Sequence, residues 1–208
     1  KDYFWFGSGD PQGYSLQNYQ VLIRDIEQDP ELAPMLQVVT PVLQFGGIAG
    51  NFEAGLSKLV IVQGVDVAGQ NQLRQWNDYQ LAITPELLSI NPAAPDQAEI
   101  GIGVARMLQL CSQLALQDCP QPDSATPSVQ NNNLAADIAA LAAEQPAVRG
   151  PGETGARLEL LAASTGGAPN VSRLQINRAV TTGAKELDEV YLAMQLQQAQ
   201  TLLYGEAG

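Results

Sequence analysis

The run SKLVIVQGVDV, from Ser57 to Val67, most limits what this chain can fold into. Leu59 to Val62 are apolar and mostly β-branched, which suits a pleated, buried strand, and Gly64 punctuates the end of the run. The stretch LQVVTPVLQFGGIAG precedes it and is equally rich in Val, Leu and Ile. Pro41 cannot donate to a ladder, so it belongs at an edge or a bulge. AEIGIGVARMLQLCSQLAL reads as a strand that turns into a helix at its glycines. ARLELLAAS and SRLQINRAVT are two further β-like runs, joined by TGGAPN as a hairpin with a long loop.

Helical signals lie between these runs. SLQNYQVLIRDIEQDPEL places Leu16, Tyr19, Leu22 or Ile23, and Ile26 on one face. Ser15 is its expected N-cap, and Pro30 and Pro34 end it. That apolar face is expected to pack on the alternating Leu174, Ile176, Val190 and Leu192. NQLRQWNDYQLA reads as a short helix or turn, and LAADIAALAAEQ as an Ala-rich helix stopped by Pro146. Prolines and Asn131 to Asn133 mark the stretch from Gln117 to Asn133 as a loop. The final ELDEVYLAMQLQQAQTLLYG allows either one continuous helix or a strand followed by a helix. The order predicts an α+β fold rather than regular βαβ alternation.

Charge and residue usage narrow the function. The net charge of −12, with Lys and Arg scattered singly, argues against nucleic-acid binding. The chain has no histidine, and so lacks the commonest general base and metal ligand. No catalytic residue, cofactor site or metal site is expected. GIGVAR, from Gly101 to Arg106, lacks the third glycine of a dinucleotide fingerprint. STGGAPN is followed by no lysine, so it is not a phosphate loop. The carboxylates Glu186, Asp188 and Glu189 read as solvated. Cys111 and Cys119, in CSQLALQDCP, fit neither a zinc site nor a redox CxxC. With Cys119 in a proline-flanked polar loop, a disulfide formed in an oxidising compartment is the favoured reading.

Tyr3, Phe4, Trp5 and Phe6 stand in a row at the start, a third of the twelve aromatics in the chain. An N-terminus is ordinarily frayed and polar, so this run is expected either to pack on the core or to form a partner or membrane-proximal surface.

Four stretches together resemble one family: VTPVLQFGGIAG, VIVQGVDV, EIGIGVARML and LQINRAVTTGAKELDEVYLAMQLQQAQTLL. Their order is similar to that in the extracytoplasmic domain of MacB-type and FtsX-like ABC transporter permeases, including the lipoprotein-releasing permeases. The matching positions are Val39 and Pro41; Gly64, Val65 and Asp66; Gly103, Ala105 and Leu108; and Thr182, Gly183, Asp188, Ala199, Gln200, Leu202 and Leu203. Asn177 and Arg178 depart from the pattern, since the family often has a glycine there.

The resemblance implies a porter-like α/β subdomain built from both chain ends, residues 1–50 and 171–208. A β-rich sabre-like subdomain, residues 51–170, would be inserted between them. It favours a strand at Glu189 to Ala193 and a helix from Gln195 to Tyr204 at the end. It places the domain on the periplasmic or extracellular side of a bacterial inner membrane, with one transmembrane helix before Lys1 and three after Gly208. The implied partners are an ABC ATPase reached through the membrane domain, a second permease subunit, and a periplasmic adaptor or lipoprotein. A free-standing secreted or periplasmic binding module is the alternative, and a hydrolase working without histidine is a third class.

Overall fold

A computed structural model describes residues 15–82, 85–117, 119, 155–164 and 167–205. It is a mixed α/β structure whose described strands close into one barrel, in the order β1 (Val42–Asn51), β2 (Leu56–Val65), β6 (Tyr191–Gln195), β3 (Gln97–Gly101), β5 (Pro169–Val180) and β4 (Ala156–Ala163). β1 (Val42–Asn51) and β2 (Leu56–Val65) form an antiparallel hairpin. Helix α2 (Val67–Gln75) follows, then β3 (Gln97–Gly101) and α3 (Ile102–Met107). β4 (Ala156–Ala163) and β5 (Pro169–Val180) form the second hairpin. The short α4 (Lys185–Asp188), β6 (Tyr191–Gln195) and α5 (Leu196–Tyr204) complete the barrel.

The two halves are interchangeable in connectivity. Exchanging β1 with β4, β2 with β5 and β3 with β6 leaves every neighbour relation unchanged. The antiparallel hairpins exchange with each other, and the parallel pair β2–β6 exchanges with the parallel pair β5–β3. The register obeys the same rule. Ile61 faces Tyr191 as Gln175 faces Gln97, and Val62 faces Leu192 as Ile176 faces Ala98. Two pairs map onto themselves: Ala49 with Leu160 between β1 and β4, and Glu99 with Ala193 between β3 and β6. All four of these residues are fully buried. The rule is broken at Asn177, an extra residue that bulges β5 between the partners of Ala98 and Glu99.

Inward-facing residues at two-residue spacing make the core. Val60 and Val62 of β2 meet Leu158, Leu160, Leu174 and Ile176 of the second hairpin, with Ile100, Leu192 and Met194 between them. α3 and α5 close the barrel with equivalent faces, since Ala105 and Ala199 both stand four residues past a strand end and both are fully buried. Gly64 makes room for Ala199: a Cβ at Gly64 would collide with the Ala199 methyl.

Most expected elements form, with local corrections. The terminal segment is a strand followed by a helix, as the resemblance implied. α1 (Tyr19–Gln28) starts later than its pattern suggests. Its N-cap is Asn18 in a left-handed conformation, with no side-chain cap, so Ser15 does not fill that role. Tyr19, Ile23 and Ile26 are half-buried and Leu16 is exposed, but Leu174, Ile176 and Leu192 point into the barrel core, where no residue of α1 joins them, so the expected packing of this face on those residues does not form. α2 begins before NQLRQW because Asp66, at the end of β2, caps it by accepting hydrogen bonds from Ala68 and Gly69 N–H. The positions 50/51 and 170/171 both fall inside strands, in β1 and β5. The Ala-rich segment from Leu134 lies outside the described residues.

Candidate functional site

The most organised polar constellation among the described residues surrounds a segment that belongs to no helix or ladder, residues 86–91. Leu88 and Ile90 are buried while Leu87, Ser89 and Asn91 are exposed, the alternation of an extended chain. The two apolar side chains enter a small second core with Val65, Val67 and Ala193, against which Tyr191 packs.

Side chains, not a neighbouring strand, bind the backbone of this strap. On the α2 side, Asn71 Oδ1 accepts from Leu88 N–H at 2.7 Å and its Nδ2 donates to Leu88 C=O at 3.2 Å. Arg74 donates to Glu86 C=O at 2.6 Å. On the barrel side, Arg178 donates to Leu87 C=O at 2.7 Å, Glu99 accepts from Ser89 N–H, and Asn177 donates to Ser89 C=O at 2.9 Å. Gln97 accepts from Asn91 N–H, and Gln195 donates to Asn91 C=O, both at 2.8 Å. Residues 86 and 88 are therefore read from α2, and residues 87, 89 and 91 from the barrel. These are the two edges an extended chain presents in alternation.

The bulge in β5 supplies two of the readers. With Asn177 left unpaired, Arg178 comes opposite Glu99 in the ladder, and their side chains form an ion pair at 3.0 Å. Glu99 is fully buried and Arg178 is about one third exposed. Arg178 also pairs with Glu86 of the strap at 3.0 Å. One oxygen of the pair, Glu99 Oε2, and one nitrogen, Arg178 Nε, are buried without a hydrogen-bond partner. Burial pushes the Tyr191 hydroxyl above the ordinary phenol range, with the Arg74 guanidinium opposing the shift from 3.5 Å.

Beside the strap lies an open groove of about 590 Å³, lined by the carboxamides of Asn91, Gln97, Gln113, Gln175 and Asn177 together with Leu114 and Ile176. The lining carries no charge. Its carboxamides, with the Ser89 hydroxyl also in the lining, can recognise backbone amides and hydroxyls.

The residues singled out in the sequence fall elsewhere. Cys111 and Cys119 are joined in a disulfide, with Cα atoms 6.2 Å apart, on the segment after α3. Tyr3, Phe4, Trp5 and Phe6 lie outside the described residues. Asp188, expected to be solvated, is instead buried and closes its own loop, its Oδ1 accepting from the Thr182 N–H at 2.6 Å and the Thr182 hydroxyl at 2.8 Å. Gly183 turns that loop at φ 91°. Of the positions noted in the sequence, Asn177 and Arg178 do reach the site, and they are where the family pattern is broken. Glu99 carries a signal in the sequence itself: a carboxylate inside the apolar strand of AEIGIG needs a buried partner. No protein-family profile matches the chain, and no curated protein matches it.

Proposed function

We propose that this chain is the extracytoplasmic domain of an ABC transporter permease of the MacB and FtsX type. In this reading it is non-catalytic. A separate cytoplasmic ATPase hydrolyses ATP, and the domain relays conformational change outside the membrane to a substrate, an adaptor or a lipoprotein. One observation carries the proposal: the four stretches behind the resemblance are not scattered over the surface but supply most of one barrel. VTPVLQFGGIAG leads into β1, VIVQGVDV is β2 with the cap of α2, EIGIGVARML is β3 with α3, and the last stretch runs from β5 to α5. The Cys111–Cys119 disulfide supports an oxidising compartment. The porter-like and sabre-like division at 50/51 and 170/171 belongs to this proposal, and it has to accommodate strands that cross both positions.

The test is the full reading frame and its product. A transmembrane span directly before Lys1, three after Gly208, and co-purification of an ATPase subunit from detergent-solubilised membranes are expected. A reading frame that encodes no such spans overturns the proposal and leaves the free-standing binding module, which the disulfide and the polar groove would equally suit.

A further inference from the structure

We propose that the channel holding residues 86–91 is a peptide-binding site occupied in cis, and that the strap exchanges for an extended segment of a partner protein. The strap defines that partner's chemistry: two aliphatic residues at i and i+2, a small residue between them, and a backbone free of other pairing. Three observations carry this. First, the strap's backbone is bound by side chains on both edges, as an extended peptide ligand is bound, rather than by a continuous ladder. Second, its hold is localised to two apolar anchors, Leu88 and Ile90, in a core separate from that of the barrel. The barrel is closed without it.

Third, the occupied state leaves the Glu99–Arg178 pair half-made. A guanidinium and a carboxylate at this distance ordinarily meet through two parallel bonds. Here Arg178 spends its other contacts on Leu87 C=O and Glu86, so Glu99 Oε2 and Arg178 Nε are both left buried and unpartnered. Release of the strap frees the guanidinium to close the two-bond fork on Glu99. The empty channel is thereby compensated, and the strap is held less tightly than its contacts alone would give. The inference stands on the channel itself and does not depend on the transporter reading.

The experiment uses a fluorophore-labelled heptapeptide with the sequence of residues 85–91, PELLSIN. It is titrated against the unaltered protein and against a Leu88→Ser/Ile90→Ser variant, whose own strap has lost both anchors. In the unaltered protein the tethered strap competes at an effective concentration of about millimolar. The variant is therefore expected to bind the peptide at least about tenfold more tightly. A peptide with both anchors changed to serine is expected not to bind. A folded variant, shown by a cooperative melt, that does not bind PELLSIN overturns the proposal. If the variant does not fold, amide hydrogen exchange on the unaltered protein decides the matter. Leu88, Ser89 and Asn91 are then expected to exchange at least about tenfold faster than Ala98 and Ile100, because the strap opens without the barrel. Exchange of all five at one rate overturns it.

Discussion

Glu99 and Ala193 face each other across β3 and β6, at the pair where exchange of the two halves maps the barrel onto itself. One half places a methyl there and the other a carboxylate, and both side chains are fully buried. The carboxylate is tolerated because the bulge at Asn177 brings Arg178 opposite it and because the strap donates Ser89 N–H. Ala193 also shows that alanine fits this position. Glu99→Ala should therefore destabilise through lost pairing rather than through strain. A loss of about 1–3 kcal/mol is expected in urea denaturation. A double-mutant cycle with Arg178→Ala should show coupling of about 0.5 kcal/mol or more. Strictly additive effects would mean that the pair contributes nothing.

Glycines at two places in the first hairpin should respond in opposite ways. A methyl at Gly64 meets the Ala199 methyl, which is fixed to the α5 backbone and cannot swing aside. Gly64→Ala is expected to cost about 1–3 kcal/mol by pushing α5 off the barrel. Gly46 faces open space, so Gly46→Ala should be neutral or should stabilise by about 0.4–1 kcal/mol through the unfolded chain. Thermal melts of the two variants test the contrast, and equal shifts would contradict it.

The Cys111–Cys119 bond closes a loop with a sequence separation of 8. In the chain-entropy picture such a loop stabilises by about 2–3 kcal/mol. Reduction should lower the melting temperature accordingly. Intact-mass measurement before reduction should show the chain lighter by two hydrogen atoms than after it. Two freely alkylatable thiols in protein from an oxidising compartment would refute the bond.

Tyr191 gives a pH dependence of known sign. Its pKa is raised in the folded state, chiefly by burial, so the folded protein holds the phenolic proton more tightly than the unfolded chain does. The resulting stability is fully present below the unfolded value of about 10 and is lost as the pH climbs through the folded value. Tyr191→Phe should flatten that part of the stability curve above about pH 10 while leaving its shape at neutral pH intact. Urea midpoints measured across this range would show the difference. Identical alkaline slopes in the two proteins would count against it.

Strands were legible wherever β-branched residues clustered. SKLVIV becomes β2, and the glycines of AEIGIGVAR mark the turn from β3 into α3. Barrel closure was not legible, because parallel pairs such as Ile61 with Tyr191 join residues far apart in the chain and leave no local pattern. The internal repetition was hidden for a different reason. Ala105 matches Ala199 and Leu108 matches Leu202, but inward positions trade size: Gly47 corresponds to Leu158, and Ala49 to Leu160. Close packing constrains the summed volume of facing residues rather than each residue, so the two halves can differ in sequence while keeping one register. The strap was invisible for a third reason. Its readers run from Asn71 to Gln195, and only the closed barrel collects them.

The interlocked strand order also governs how the chain can be made. β6 fills the slot between β2 and β3, and β4 closes onto β1 from the opposite half. During synthesis from the N-terminus, the first hairpin emerges with both outer edges bare, and β2 keeps its unpaired edge until Tyr191–Gln195 has appeared. That edge belongs to LSKLVIVQGV, an apolar and weakly charged run of the kind that pairs with other chains when left open. Barrel closure thus waits for nearly the whole chain. A chain that stops before β6 holds five of the six strands, but the slot between β2 and β3 stays open and both of those strands keep an unpaired edge, so the nascent protein exposes an association-prone edge for longer than a fold whose N-terminal half closes by itself.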